Sequence, residues 1–590
     1  MNHFISGIIK IVILEASIGL LLLDFVAPDR FEKARHLAFA TLAGVMVFAW
    51  ANYGALREGS SWAYTMVIVP LVLLAAWLIK AAFTRDEPTA EQRSFRDGSA
   101  ELAKNVGLGK LQRSYRHAAV GLTVVLISGW LWWGLRTDSL PLTHPWEQYH
   151  FYLGAKYQKE VGWFDLYKAT LIADREGTHA LSTVTQTREL ETFNDLSVER
   201  ALQDTARVRS QFSDDQWQRF KADWETMARL WPGLDWQRVM SDHGNSNSPA
   251  WAILAHPISL MLPLSKHNQA LIGWLDMLLM LGMWLFVYDT FGRKVASVGL
   301  LMWATPPIVF DYLSGSFLRW DWLFALGLAA CFIKREKWAT AGAFFVFAAA
   351  TKLFPIFFGV ALLARAISEF AKTRKVRPEH VRFAVGAVVT GVVLVVLATA
   401  MFGVDSWGKY AQRIQVAQVE KFYGIQYSLK TVFLQFVAPG GSAFFAGIFP
   451  GAIKQQLAGV EISDYSVSWL LARLAFTALI VMLIRRTTSD VEAFMFGPLL
   501  VFTWLTVNMY YWNMLSFLAM ALAMRAQARA LVMLISLHLI FMVYYVYQHL
   551  PPRTEPYAVA FLLCAWIVGF GLLEAFSSSK RAPTLEPKAA

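Results

Sequence analysis

Apolar runs of about 20 residues recur along almost the whole chain, the length a helix needs to cross the hydrocarbon core of a bilayer. They predict spans near 4–26, 37–54, 62–83, 117–136, 268–289, 295–311, 318–334, 382–402, 466–485, 490–508, 512–525, 530–547 and 556–576. Two apolar stretches break the pattern. Residues 250–263 are interrupted by Pro257 and Pro263, and 338–368 carry Thr351-Lys352-Leu353-Phe354-Pro355 in their middle. One polar interruption of about 110 residues, from Arg136 to roughly Ser248, separates two spans. A barrel's strand alternation is absent, so helices must satisfy the backbone polar groups. The expected fold is an all-α polytopic bundle of 13–15 membrane helices with short broken or re-entrant pieces.

Loop charge orients the bundle. Segment 84–116 carries seven Lys/Arg and 363–382 carries six, which places both on the cytoplasmic side. The clusters Arg293-Lys294, Lys334-Arg335, Arg485-Arg486 and Arg525 with Arg529 agree. Threading from these anchors puts 137–248, 311–317, 403–465 and the Asn508–Asn513 corner outside. The N-terminus then lies outside and the Lys580-Arg581 tail inside. The first apolar run lacks a small-residue cleavage site and reads as a retained span.

Composition narrows the class. The chain has 590 residues, of which 56% are hydrophobic, and a mean hydropathy of +0.40. The net charge of +11 sits mostly in short loops, so it reflects topology rather than a nucleic-acid partner. Cys331 and Cys564 lie inside apolar spans and imply neither a disulfide nor a metal framework. Phosphate loops, HExxH, CxxC and GxSxG are missing, which disfavours nucleotide hydrolysis and zinc proteolysis.

The interrupted stretch 338–368 is too short for two ordinary spans and too long for one, yet both flanks are basic. Two short helices turning at Lys352–Pro355 satisfy that arithmetic; a long kinked helix is the alternative. In the polar segment, Trp217, Phe220, Trp224, Met227 and Trp231 repeat at helical spacing. That stripe fits either an interface-lying helix or packing against the rest of the segment.

Four constellations carry candidate chemistry. Asp138 and Glu147 follow the fourth span, where a carboxylate at the membrane surface can act as general base toward an acceptor hydroxyl. Glu147 leads into Tyr149 and His150, an aromatic and polar wall suited to a sugar; a local ion pair is the plainer reading. Asp242, His243 and Asn245 precede Ser248-Pro249, a cap for a short helix whose N-terminus can face an anion. Arg319-Trp320-Asp321 opens a span, where charges are paired or functional. Lys352 sits at the helix break, where it either snorkels or neutralises a phosphate. Lys409, Arg413, Lys421 and Lys430 read as a solvated face of the second outer loop.

In this order the pieces resemble the GT-C superfamily of integral-membrane glycosyltransferases, in particular its bacterial polyprenyl-phosphomannose-dependent α-mannosyltransferase branch. The resemblance runs over roughly 117–550. It rests on Glu147 ahead of Tyr149–Tyr157 and Gly162–Tyr167, then Asn245-Ser246-Asn247-Ser248-Pro249, Phe317–Asp321, Ala350–Pro355 and a Tyr510-Tyr511 corner. The three spans at 1–83, the basic loop 84–116, the last span at 551–576 and the tail 577–590 flank that core. Many members place aspartate in the first outer loop where this chain has Glu147, which keeps Asp138 in competition for the base.

The resemblance implies a polyprenyl-phosphate sugar donor and inverting transfer of a hexose such as mannose on the outer face of a bacterial inner membrane. The acceptor would be a lipid, glycan or protein. Arg319, Lys352 and His243 would meet the donor phosphate. His150, Tyr149, Asp242, Asn245, Asp321, Tyr510 and Tyr511 would line the substrate. No metal or other cofactor is assigned. Two further readings stay open: a transporter or lipid flippase, and a non-catalytic envelope-assembly protein.

Overall fold

The computed structural model describes residues 143–304, 315–419, 426–437, 465–525, parts of 530–540 and 555–576. The spans expected at 4–26, 37–54, 62–83 and 117–136 lie outside the described residues. So do the basic loop 84–116, Asp138, Lys421 and the tail 577–590. Within the described residues the chain is an all-α membrane protein. Two hydrophobic cores organise it, one for the polar segment and one for the apolar helices.

The polar segment folds as a domain. A short turn, Pro145–Glu147, runs into a π-helical stretch over Gln148–Leu153, a distortion frequent at functional sites. Helix α1 (Leu166–Arg175), the antiparallel pair β1 (Gln186–Arg188) and β2 (Asp195–Ser197), and α2 (Asp214–Leu230) follow. Ser213 and Gln216 close a capping box at the start of α2. Trp217, Phe220, Trp224 and Met227 are buried in the domain's own core. The stripe is therefore packing, and the interface-lying alternative is set aside, because the apolar face is already covered.

Helix α3 (Pro249–Met261) begins at Ser248, whose Oγ accepts from Trp251 N at 3.2 Å. It runs through Pro257 and ends before Pro263, so only the second proline terminates it. Helix α4 (Leu275–Ala304) is broken at Gly292, whose φ of 75° is not helical, so it divides between the spans expected at 268–289 and 295–311.

The next helices place the site. Helix α5 (Asp321–Lys334) starts at Asp321, and α6 (Trp338–Thr351) returns antiparallel to it. Backbone turns extended at Lys352, and α7 (Ile356–Thr373) leaves again. Two helices joined at Lys352–Pro355 are thus what the interruption encodes. The α6–α8 crossing is tight: a Cβ at Gly342 would overlap the Phe383 carbonyl of α8 (Pro378–Phe402). Helix α9 (Asp405–Val419) and β3 (Gln426–Tyr427) follow.

Helices α10 (Ser466–Arg485) and α11 (Gly497–Trp504) precede β4 (Val507–Asn508), which pairs antiparallel with β3. A 3₁₀ turn over Met509–Met514 carries Tyr510 and Tyr511, and α12 (Leu515–Ala523) and α13 (Glu555–Phe576) complete the bundle. Among the described residues, three helical segments are long and apolar enough to span a membrane: Lys266–Gly292, Pro378–Phe402 and Ser466–Arg485. The exposed Val385, Val388, Val389, Val392 and Val396 of α8 form the apolar surface that a lipid-facing helix carries.

The basic residues gather where α5 ends and α6 begins. Arg335 pairs with Asp289 at 2.6 Å, and Asp490 binds Arg377 at 2.8 Å and Arg365 at 3.1 Å. Asp321 stands at the other end of α5, about 20 Å away at 1.5 Å per residue.

Candidate active site

The site is assembled from four chain segments. His144 N donates to Gly315 O at 3.0 Å, and Glu147 N donates to His144 Nδ1 at 3.2 Å. These bonds fix the turn that carries Glu147. Gln148 then donates from Nε2 to the carbonyls of Gln269 and Gly315, both at 3.0 Å. Gly315 has φ 81°, and a Cβ there would overlap His144 N and the Thr143 carbonyl carbon. Only glycine permits this approach of two backbones.

The segment entering α5 is held as firmly. Asp276 of α4 accepts from Arg319 N at 3.0 Å and Trp320 N at 2.9 Å. Trp251 Nε1 donates to Leu318 O at 2.8 Å, while Leu318 itself adopts the left-handed φ of 48°. A leucine held there is strained and needs surroundings that over-determine it. The result is that Arg319 is aimed at Glu147, and the two form a buried ion pair. The Arg319 guanidinium also lies 4.4 Å from the Tyr510 ring centre, within cation–π range.

Lys352 approaches from the α6–α7 turn. It is buried, 6.0 Å from the Phe151 ring centre, and in the electrostatic field of Arg319, Asp321 and Glu147. Asp321 Oδ1 caps its own helix by accepting from Trp322 N at 2.7 Å, and its buried Oδ2 has no hydrogen-bond partner among the described residues. Trp322, Phe354 and Tyr511 pack edge to face at 4.7–5.7 Å and close the apolar side. Tyr510 OH accepts from Asn508 Nδ2 at 2.8 Å. Six residues singled out in the sequence thus meet in one place: Glu147, Arg319, Asp321, Lys352, Tyr510 and Tyr511.

The segment Asp242–Asn245 forms a neighbouring layer. Asp242 accepts from Trp146 Nε1 at 2.6 Å, and its carboxylate faces His243 at 3.0 Å and His150 at 3.9 Å. Burial opposes ionisation of Asp242, but His243, His150 and Trp146 overcome it and hold the carboxyl below its ordinary range. Burial lowers the His150 pKa against the pull of Asp242 and Glu147. His150 Nε2 reaches Tyr167 OH at 2.7 Å. Asn245 Oδ1 accepts from Asn247 N at 3.0 Å, a local turn brace. Tyr149 is enclosed in the polar domain's core, with its hydroxyl donating to Thr170 at 2.9 Å.

Some contributors escaped the sequence reading. Asp276 positions Arg319, and its signal was present as a lone carboxylate within an apolar span. Trp146, Gln148, Phe151 and Tyr167 stand in the sequence only as parts of longer stretches, with no role assigned to them singly. Arg413, taken as part of a solvated face, is buried, donates to the His243 carbonyl and stacks 4.1 Å from the Phe193 ring centre. Glu369, His380 and Asp490 lie close enough to hold a metal ion, but Arg365 and Arg377 already bind their carboxylates.

One comparison bears on this arrangement. Residues 246–507 match the model of glycosyltransferase family 87. Family 87 is of the GT-C type, and the match supports a membrane glycosyltransferase in general terms. The matched stretch runs from α3 to β4 and includes Asp276, Arg319, Asp321 and Lys352. Glu147 and the Tyr510-Tyr511 corner of the glycosyltransferase lie outside it. No curated protein and no solved structure matches the chain.

Proposed function

We propose that the protein transfers a hexose from a polyprenyl-phosphate donor to a lipid, glycan or protein acceptor in a single inverting displacement. The observation that carries this reading is the cluster of Glu147, Arg319, Asp321 and Lys352, in which two cations and two carboxylates share one buried site. Asp276 adds a third carboxylate, but two backbone N–H groups already satisfy it.

The chemistry follows from that balance. The acceptor oxygen attacks the anomeric carbon, the bond from that carbon to the phosphate oxygen breaks, and the acceptor proton passes to Glu147. Protonation removes the charge that Arg319 compensates in the resting pair. In the same step the departing polyprenyl phosphate gains a negative charge. Arg319 can turn to it as Glu147 is neutralised, and Lys352 meets it from the other side. Arg319 is thus matched to charge that develops in the transition state, while Lys352 meets the charge the phosphate already carries when the donor binds.

Asp138 remains the rival base in the same outer segment. The catalytic core is taken as 117–550, with the site on the outer face of a bacterial inner membrane, the N-terminus outside and the C-terminus cytoplasmic. The distribution of Lys and Arg supports that orientation. The donor class is tested by offering the purified protein a polyprenyl-phosphate hexose and, separately, nucleotide hexoses. Sugar release or transfer is expected from the lipid-linked donor alone; turnover of a nucleotide hexose only would overturn the assignment.

A further inference from the structure

The polar domain contains a second concavity that the ion-pair site does not use. It is a cleft of about 360 Å³ between α1, the turn after β1 and α9, within the size range of small-molecule sites. The turn Gly162-Trp163-Phe164 lines it. Gly162 has φ 54° with no atom within 4 Å of where a Cβ would stand, so the turn leaves open space there. Phe164 is half-buried and offers a ring surface to the cleft.

The lining is polar and electrically balanced, with four cationic and four carboxylate side chains. Several are fixed against one another. Arg207 grips Asp165 with two bonds of 2.6 and 2.8 Å, and Lys168 binds Glu189 at 3.0 Å. Such a wall carries no net charge to draw in a phosphate or a cation. It offers side-chain donors and acceptors to hydroxyl groups, beside the Phe164 ring for the apolar face of a sugar. A lipid tail is excluded by the same polarity.

The cleft is also joined to the site. Trp163 Nε1 donates to Asn247 O at 2.8 Å, in the short segment whose Asp242 holds Trp146 and faces His150 beside Glu147. On the opposite wall, Gln412 Nε2 of α9 donates to Glu191 at 3.0 Å. We infer that this cleft binds a neutral saccharide portion of the acceptor, distal to the hydroxyl that is glycosylated. The inference rests on the glycosyltransferase reading and adds to it the class of acceptor.

The full-length protein in detergent would be applied to an array of neutral and acidic oligosaccharides, as wild type, Phe164→Ala and Gln412→Ala. Binding to neutral oligosaccharides is expected, falling at least tenfold in Phe164→Ala and severalfold in Gln412→Ala. An array without neutral signal, a preference for acidic glycans, or neutral binding that survives both substitutions would overturn the assignment. Release of hexose to water from a polyprenyl-phosphate hexose serves as the separate readout. It should persist in both cleft variants; if wild type releases none, the donor assignment fails while the array still decides the cleft.

Discussion

Arg319 and Glu147, 172 positions apart in the chain, form an ion pair with both side chains almost wholly enclosed. Removing one partner strands the other charge where water cannot reach it. Arg319→Ala should therefore lower stability by roughly 3–5 kcal/mol, and the double variant Arg319→Met/Glu147→Leu should lose far less than the sum of its parts. Thermal unfolding in detergent checks this. Additive losses would mean that the two charges are independently solvated.

Lys352 supplies a charge without the bidentate fork of an arginine. Lys352→Ala should raise the KM for the lipid-linked donor about tenfold or more, an effect on the order of 1.4 kcal/mol per decade, with a smaller change in kcat. Lys352→Arg should restore part of the binding, since charge is kept and geometry is not. Steady-state kinetics over donor concentration separates the two parameters. An unchanged donor KM in Lys352→Ala would remove this residue from phosphate binding.

Gly315 lies under the turn that presents Glu147, and its φ of 81° suits glycine alone. Gly315→Ala adds a methyl group into the His144 and Thr143 backbone, so destabilisation of about 1–3 kcal/mol is expected from strain alone. Activity should fall further than stability, because the displaced turn carries the proposed base. Wild-type activity and melting temperature in this variant would contradict the backbone approach described above.

Acid should loosen the polar domain. Burial lowers the pKa of His150 below its ordinary 6.5, and burial followed by the Arg319 charge lowers that of His144 to about 3. Below 6.5, with both imidazoles lowered, the folded state binds fewer protons than the unfolded chain, so stability falls as pH drops below about 6.5. The groups facing His150 are Asp242, Glu147 and Tyr167. Asp242, held low, adds its own loss only below its ordinary 3.8. Melting temperature should decline from pH 7 to pH 5, and less steeply in His150→Gln. A flat profile, or an identical slope in the variant, would contradict the assignment.

The helical bundle was legible because hydrocarbon imposes length and polarity on every span. Ser466–Arg485 matches the expected limits at both ends, and the turn at Lys352–Pro355 follows from counting residues between two basic flanks. Glu147, Arg319 and Lys352 stood out since charge beside apolar sequence is expensive. Their meeting was not legible, as it depends on bonds between distant backbones: His144 to Gly315, and Asp276 to Arg319 and Trp320. The burial of Arg413 was hidden for the same reason. Its neighbours in sequence are mixed, while the Phe193 ring and the His243 carbonyl that enclose it come from far along the chain.

The central claim is that Glu147 receives the acceptor's proton. Transfer of hexose from a polyprenyl-phosphate donor should be compared in wild type and Glu147→Gln, which keeps the shape of the side chain and removes its basicity. The account predicts a fall in kcat of about 100-fold or more, with donor KM little changed, as general-base catalysis contributes roughly 10²–10⁴ in rate. Full transfer activity in Glu147→Gln would contradict it and pass the role of base to another carboxylate.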